Sequence, residues 1–217
     1  MSKYIDITLP ISDELTNWPG DPPLTLEKLQ CIQRGDNCNV TAMSSTVHFG
    51  THIDAPFHFL DDGMTVEQLS LDLLIGDVYV LDIGYTLRNI IVEDISDVPE
   101  GCKRLLFRTG NSRLGYLGDS IFHADYFGLT AEASRELVKR GIFLIGLDYY
   151  SIGCFKEIET VHRIFLSQPG SIALEAVDLR NVTQGWYRLL CLPLRISGSD
   201  GAPCRCILEK KDEGKSK

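Results

Sequence analysis

The chain has 217 residues, of which 44% are hydrophobic and 24% charged, a composition typical of a globular domain and not of a disordered chain. Its formal net charge of -9 disfavours nucleic acid as a partner, because phosphates are bound by clustered lysine and arginine. No apolar run reaches the ~18 residues of a membrane-spanning helix, and the first residues lack the apolar segment of a signal peptide. With seven cysteines and no C-x-x-C pair, the sequence predicts reduced thiols and a cytoplasmic protein without a membrane partner.

In chain order, the first predicted element is a strand within residues 47–59, VHFGTHIDAPFHF, where polar and apolar side chains alternate. Pro56 is expected to end its regular pairing, so that His58 lies on the following loop. A weaker helix is predicted for Thr65–Leu74.

Four apolar runs that end in turn residues predict buried strands at Asp77–Gly84, Arg104–Gly110, Gly141–Gly153 and Arg188–Gly198. A helix is predicted after Thr130, which serves as N-cap, and Gly141 is expected to stop it. The sequence contains no repeat, linker or change of composition that would mark a second domain. It therefore predicts one α/β domain over residues 1–208, a mixed β-sheet with flanking helices, followed by a solvated tail over residues 209–217.

The ionisable side chains of residues 47–59 all fall on one side of the alternation, namely His48, His52, Asp54 and His58. A helix would also bring the first two histidines together, but Gly50 and Pro56 disfavour it. Imidazoles and a carboxylate on one face are typical ligands of zinc and other divalent transition metals. One such histidine is usually a packed or surface residue, whereas four groups on one face predict a metal site. Gly50, without a side chain, is expected to leave room for an ion or substrate.

The segment HFGTHIDAPFHF, followed by DDG, resembles the H-x-G-T-H-x-D-x-P-x-H signature of the cyclase family of metal-dependent hydrolases. This family includes bacterial kynurenine formamidase and isatin hydrolase. The resemblance extends over nearly the whole chain, through the stretches WPGDPP, LLFRTGN, LDYYSIG and DGAPCRCIL. It implies a layered β/β/α fold.

The resemblance also implies roles for individual residues. His48, His52 and Asp54 match the ligands of a first metal, and Asp54 would bridge to a second ion. His162, in TVHRIFL, and Glu175, in IALEAVDL, match the ligands that complete the site, although by sequence alone both are typical of exposed positions.

His58 matches the proton shuttle of the family. Two close divalent ions would acidify a bound water and polarise a carbonyl, and His58 would carry the proton to the leaving nitrogen. The resemblance thus implies hydrolysis of a small formamide or cyclic amide. The favoured substrate is N-formylkynurenine, and an isatin-type ring is the alternative.

The favoured cofactor is two zinc ions per chain, with manganese as the alternative, because ligation by histidine and carboxylate without thiolate suits both. The resemblance also implies a homo-oligomer, a dimer or tetramer, in which WPGDPP could reach a neighbour's pocket.

Two other functional classes remain compatible with the histidine cluster. A non-catalytic metal-binding scaffold would keep the ligands but would not need His58. A cupin-type oxygenase would use a single metal, although cupins space their ligands as H-x-H. Nucleophilic serine catalysis and nucleotide-dependent chemistry are disfavoured, because the chain has no G-x-S-x-G, P-loop or G-x-G-x-x-G motif. The stretches GDNCNV and GSDGAP are interpreted as ordinary turns.

Several further residues carry weaker expectations. Trp18 could stack on a flat substrate ring or cover the edge of the core. The phenylalanines of the signature are expected in the core: Phe49, Phe57 and Phe59. The roles left open, between support of the site and capping of a loop, are those of Arg108, Thr109, Asp148 and Ser151. His123 is interpreted as structural or loop-lining.

Overall fold

The computed structural model describes residues 2–211 of the chain. Its strands are β1 (Tyr4–Asp6), β2 (Thr25–Gln30), β3 (Val40–Ser44), β4 (His52–Asp54), β5 (Ile75–Asp82), β6 (Arg104–Arg108), β7 (Leu144–Leu147), β8 (Ile172–Glu175), β9 (Gly185–Pro193) and β10 (Gly201–Lys210). Its α-helices are α1 (Leu71–Leu74), α2 (Gly110–Leu114), α3 (Ala131–Lys139) and α4 (Ile158–Leu166). None of these helices is long and apolar enough to cross a membrane.

Most strands belong to one mixed sheet, which closes on itself. The strand order is β10-β4-β8-β7-β6-β5-β9, and β9 pairs back onto β10 to complete a barrel-like ring of seven strands; β1 adds to β10. Strands β5 to β8 are parallel, and the remaining pairs are antiparallel. The predicted α/β class, with a mixed sheet and flanking helices, is confirmed.

The sheet separates two apolar cores, because successive side chains of a strand point to opposite faces. In β6, Leu105 and Phe107 pack into the core that contains Leu137 of α3 and Phe165 of α4. Leu106, between them, packs into the second core. The central parallel strands are therefore covered on both faces, which explains their nearly continuous apolar sequence.

The helix predicted after Thr130 is confirmed. The Thr130 hydroxyl accepts a hydrogen bond from the Ala133 N–H at 3.3 Å, and Gly141 has a φ of +71° just past the end of α3. The segment Thr65–Leu74 forms two short pieces, a 3-10 turn at Val66–Gln68 and α1.

The strand predicted in residues 47–59 is much shorter than expected. Only His52–Asp54 pair as a strand, and residues 47–51 form bends. Gly50 explains the difference, because its φ of +65° lies in the left-handed region that interrupts a strand. Gly50 does line the cavity described below, so its backbone conformation and its lack of a side chain both matter.

The sheet also extends into the segment that the sequence predicts as a tail. Glu209 pairs with Tyr4 and Arg188, and Lys210 pairs with Tyr187, so β10 continues two residues past the expected domain end. Residues 212–217 of the predicted tail lie outside the described residues. All seven cysteines are free thiols, as the sequence predicts.

Candidate active site

Strand β4 is the centre of the candidate site because it lies between β8 and β10 in the sheet. Antiparallel pairing places His52 opposite Glu175 of β8, and Asp54 opposite Gly201 at the start of β10. The side chains of His52, Asp54 and Glu175 are all buried. An imidazole and two carboxylates thus meet in the interior of the fold.

His162 reaches the same point from α4. The helix buries Val161, Phe165 and Leu166 with it, so the apolar stripe of the helix fixes the direction of the imidazole. Its Nδ1 lies 2.7 Å from the Ile158 carbonyl oxygen, and its Nε2 lies 3.0 Å from Glu175 Oε1. Burial lowers the pKa of His162, but the hydrogen bond and charge of Glu175 outweigh burial and raise it overall.

His52 gives the clearest indication that the donor set fits a cation. Its Nδ1 donates to the Gly50 carbonyl oxygen at 2.9 Å, so the neutral ring presents an unprotonated Nε2. That buried Nε2 has no hydrogen-bond partner, and it faces Asp54 Oδ1 at 3.5 Å and Glu175 Oε2 at 3.4 Å. A lone pair beside two carboxylate oxygens is repulsive unless a proton or a metal ion lies between them, and contacts of 3.4–3.5 Å are long for a hydrogen bond but suit two ligands of one ion.

The donor atoms form two groups of potential metal ligands that share Asp54. His48, His52 and Asp54 form one group of potential ligands, and Asp54, His162 and Glu175 form a second. Ligand atoms that each lie about 2.1 Å from one ion are separated by about 3.0–3.5 Å. The separations observed around His52 and His162, 3.0 to 3.5 Å, match that geometry. The five residues that the resemblance implies as ligands are thus brought together.

Asp54 offers both of its oxygens to the two groups. Oδ1 lies 2.8 Å from His48 Nδ1, and Oδ2 lies 3.5 Å from His162 Nε2. Burial raises the pKa of the Asp54 carboxyl, but the charges of His58 and His48 outweigh burial and hold it well below its usual range. The carboxylate therefore stays ionised, as a metal-binding carboxylate must be.

Glu175 is followed by an unusual backbone conformation. Ala176 has a φ of +55°, a left-handed value that a non-glycine residue adopts at a cost of about 1–3 kcal/mol. Its carbonyl oxygen accepts a hydrogen bond from the Thr51 hydroxyl at 2.6 Å, and its N–H donates to the Tyr149 carbonyl oxygen at 2.8 Å. These contacts hold the strained residue, and the Ile152 N–H, which donates to Glu175 Oε1 at 2.7 Å, orients the neighbouring carboxylate.

Asp200 is the functional residue that the sequence interpretation missed. The stretch GSDGAP is not only an ordinary turn, because the Asp200 Oδ2 atom lies 2.8 Å from His48 Nε2 and 3.0 Å from His58 Nδ1. Its neighbour Gly201 allows the approach, since a Cβ there would lie 2.7 Å from His48 Cε1. Local sequence gave no signal for this contact, because it depends on the pairing of β10 with β4.

His48 lies between two carboxylates. Burial lowers the pKa of His48, but the charges of Asp54 and Asp200 and their hydrogen bonds raise it to about 10. Without a metal the imidazole is therefore protonated, and a metal ion binding there would displace a proton.

His58 lies in the 3-10 turn Pro56–His58, just beyond β4, as predicted. Its ring packs 4.0 Å from the ring of His48, and Phe59 contacts it edge-on at 4.6 Å. Its side chain is 28% exposed, more than those of His52 and His162. His58 thus lies beside the ligand cluster, at the boundary with the cavity.

A cavity of about 210 Å³ opens onto these groups. Its lining includes Trp18, which packs edge-on against Phe122 at 5.0 Å. The expectation that the three phenylalanines of the signature are core residues is wrong in part. Phe49 is buried and Phe59 packs against the core, as expected, although both also line the cavity, whereas Phe57 is exposed at the surface. The cavity therefore has aromatic walls and a floor of imidazoles and carboxylates.

The remaining candidates lie away from the ligand cluster, except Ser151, which lines the cavity. Asp148 accepts hydrogen bonds from the backbone N–H groups of Thr109 and Ser112 and from the Thr109 hydroxyl, so it caps α2 and contacts no histidine. Burial raises its pKa. Arg108 pairs with Asp82. These residues support loops at the ends of β6 and β7.

His123 also lies outside the cluster. It stacks on Tyr116 at 3.9 Å and pairs with Asp119 at 2.9 Å. Both contacts are within one surface loop, which agrees with a structural role.

Comparison with known proteins identifies the family. Residues 5–153 match the family described as Cyclase. The chain belongs to that family. Kynurenine formamidase of Bacillus cereus is 35% identical over 95% of this chain and 97% of its own length.

Solved structures of Cyclase family proteins share the fold. A protein described as a potential metal-dependent hydrolase with cyclase activity superposes with a TM-score of 0.80 and 29% identity, covering 96% of this chain and 98% of its own. Isatin hydrolase A of Labrenzia aggregata superposes with a TM-score of 0.77 over 94% of this chain and 92% of its own, but at 22% identity it supports the fold alone. The family match, the kynurenine formamidase and the potential metal-dependent hydrolase support a hydrolase of the Cyclase family.

Proposed function

We propose that the protein is a metal-dependent hydrolase that cleaves the C–N bond of a small formamide, with N-formylkynurenine as the favoured substrate. The observation that carries the proposal is the unpartnered Nε2 of His52, which faces two carboxylates at the base of an aromatic-walled cavity. A cavity of about 210 Å³ is somewhat larger than the ~150 Å³ that holds a benzene ring, so one substituted ring fits. The similarity to kynurenine formamidase supports the formamide assignment.

The residues divide the chemistry between them. His48, His52, Asp54, His162 and Glu175 would hold two divalent ions, which when bound acidify a water and polarise the amide carbonyl. His58 accepts the proton of that water and returns it to the leaving nitrogen, because a free Nε2 at the cavity boundary can do both. Trp18, Phe49 and Phe59 exclude bulk water and orient the flat ring of the substrate.

We also propose zinc as the native metal, with two ions per chain and manganese as the alternative. Protein purified without added metal is expected to contain about two equivalents of zinc or manganese by elemental analysis, because two ligand groups share Asp54. A firm value of one ion per chain would contradict the shared-carboxylate site. Finding neither ion, with no activity after reconstitution, would contradict metal dependence and favour a non-metal role for the cluster.

The charge of the cavity bears on the substrate. Within residues 2–211, the side chains that line the cavity include no lysine or arginine, whereas Asp21 lies among them. A carboxylate on the substrate therefore finds no lysine or arginine to pair with at the cavity walls, and an ammonium group can pair with Asp21. The same feature favours a neutral ring such as isatin as a second candidate substrate.

A substrate series tests this expectation. N-Formylkynurenine, its analogue without the carboxylate and its analogue without the amine are compared by kcat/KM. The analogue that keeps the amine but lacks the carboxylate is expected to have the highest kcat/KM, and the analogue that keeps the carboxylate but lacks the amine the lowest. Each step is expected to be up to about five-fold, since a partly exposed charge pair contributes about 0.2–1 kcal/mol. Asp21→Asn should flatten the ranking. Absence of turnover with every formamide and with isatin, by metal-loaded protein, would favour the non-catalytic scaffold.

We further propose that the protein forms a homodimer or tetramer through the hairpin of β2 and β3. A two-stranded hairpin is marginally stable alone, and exposed apolar patches often mark interfaces. In this hairpin Leu26 is 43% exposed and Met43, directly opposite, is 50% exposed. WPGDPP immediately precedes β2, so such an assembly could bring this loop near a neighbour's cavity.

Light scattering of the unmodified protein is expected to show a dimer or tetramer. The double variant Leu26→Glu/Met43→Glu should shift the assembly toward monomer, because two like charges would be buried in the interface. Glu27→Lys, which changes the charge of the same strand, serves as the control and should keep the assembly. A stable, active monomer of the unmodified protein would contradict the proposal.

A further inference from the structure

We propose that Asp200 is a positioning residue that sets the tautomers of His48 and His58 together, and so couples metal binding to proton transfer. The inference rests on the proposed hydrolase function. It concerns a residue outside the ligand and shuttle sets that the Cyclase signature implies.

The first observation is that one carboxylate oxygen serves both rings. Asp200 Oδ2 lies 2.8 Å from His48 Nε2 and 3.0 Å from His58 Nδ1. Within residues 2–211, the hydrogen bonds that this side chain accepts from other residues both come from histidine rings. An aspartate that only stabilised a turn would accept from nearby backbone N–H groups.

The second observation is that the backbone holds Asp200 in place. Its carbonyl oxygen accepts a hydrogen bond from the Ala55 N–H at 2.8 Å, and Gly201 pairs with Asp54 across the sheet. The Ser199 hydroxyl donates to the Gly201 carbonyl oxygen at 2.7 Å. The backbone of Asp200 is therefore fixed relative to β4 and to the turn that carries His58, and the two imidazole contacts orient its carboxylate.

The chemical consequence follows from the rules of hydrogen bonding. An ionised carboxylate is only an acceptor, so each ring nitrogen that contacts Oδ2 must carry a hydrogen. For the neutral ring of His48, the hydrogen on Nε2 leaves Nδ1 unprotonated, and Nδ1 is the atom that faces Asp54 and the first ligand group. A carboxylate behind a ligand histidine orients the ring and raises its basicity toward a metal.

For His58 the same contact has a different effect. A hydrogen on Nδ1 leaves Nε2 as the acceptor, which is the atom needed to take a proton from water. Phe59 contacts the ring edge-on, and the ring of His48 packs against it, so rotation of the ring is restricted. Asp200 thus holds the ring of the shuttle in the tautomer that the reaction needs, without itself contacting the reacting atoms.

The test uses the full chain loaded with zinc. Asp200→Asn keeps the size of the side chain but removes its charge and one acceptor, and Asp97→Asn, on the exposed surface, is the matched control. Zinc affinity is measured by chelator competition, and kcat and KM are measured at saturating zinc. We expect the zinc affinity of Asp200→Asn to fall by roughly 10–100-fold. We expect its kcat to stay at least about 100-fold low at saturating zinc, with KM nearly unchanged.

A second comparison isolates the route through His58. In a His58→Ala background, Asp200→Asn is expected to lower kcat no further, because the effect on proton transfer passes through the missing ring, while the loss of zinc affinity persists. An equal additional loss of kcat in that background would overturn the proposal. Full recovery of kcat by excess zinc in Asp200→Asn would also overturn it, as would an unchanged zinc affinity.

The tautomers provide a readout that does not depend on turnover. Nitrogen-15 NMR of the zinc-loaded protein should show His48 protonated on Nε2 and His58 protonated on Nδ1, and Asp200→Asn should lose this pattern. Because the spectra and the zinc affinity can be measured without substrate, a protein that cleaves no amide would contradict the proposed function but not this inference. The opposite tautomers in the unmodified protein would contradict the inference alone.

Discussion

Replacing His58 by alanine is expected to lower turnover by roughly 10²–10⁴-fold, the range typical of losing general acid–base catalysis, while metal content stays nearly full. The reason is the position of the ring. His58 lies outside the two groups that share Asp54, and its Nδ1 is held by Asp200 at 3.0 Å. Turnover of a formamide and zinc content by elemental analysis, measured on the same sample, check this result.

His123→Ala is the matched control, since it removes a histidine that stacks on Tyr116 away from the cluster. Its turnover and metal content should both resemble those of the unmodified protein. Loss of metal from the His58 variant would instead mean that His58 is a ligand, in the group that it forms with His48 and Asp200.

Replacing Asp54 by alanine is expected to empty at least one metal position and to lower the Tm. Its two oxygens contact different groups, with Oδ1 near His48 and His52 and Oδ2 near His162. Removing them leaves both groups short of a ligand and of the negative charge that offsets two cations. Because bound metal stabilises the folded state by linkage, metal loss and a lower Tm should occur together.

Elemental analysis and thermal melting with and without a chelator test the Asp54 prediction. The chelator should lower the Tm of the unmodified protein but change the Tm of the Asp54 variant much less. Asp54→Asn keeps the shape of the side chain and should retain more metal than Asp54→Ala. Metal retained in the Asp54→Ala variant but lost from the His58→Ala variant would show that the two roles are reversed.

Local sequence patterns predicted several parts of this fold correctly. Helix α3 is specified by residues within the helix and at its ends, since Thr130 caps its start and Gly141 follows its end in a left-handed conformation. Strands β6 and β7 appear in the sequence as apolar runs because both of their faces are buried. Strands β5 and β9 are also rich in apolar residues, but buried and more exposed positions alternate along β9. Their ends were less well predicted, since tertiary pairing decides where a strand stops.

Helix α4 and strand β8 were not predicted as elements, although they carry His162 and Glu175. Both histidine and glutamate are typical of exposed positions, so a pattern of burial alone does not select them. In the fold both side chains are buried, because they face each other and Asp54. The resemblance to a family identified His162 and Glu175 as candidate ligands, whereas hydrophobic periodicity did not.

The sequence by itself determined that His52 and Asp54 share one face of a strand, since side chains two residues apart point to the same side. His48 and His58, ten residues apart, meet only because the backbone turns at Gly50 and at Pro56–His58. The tertiary structure decided which groups meet them. Glu175 reaches His52 because β8 pairs with β4, and Asp200 reaches His48 across 152 positions of sequence because β10 begins beside the same strand. The order and register of strands follow from burial of the whole sheet, and periodicity within a single strand specifies a face but not a neighbour.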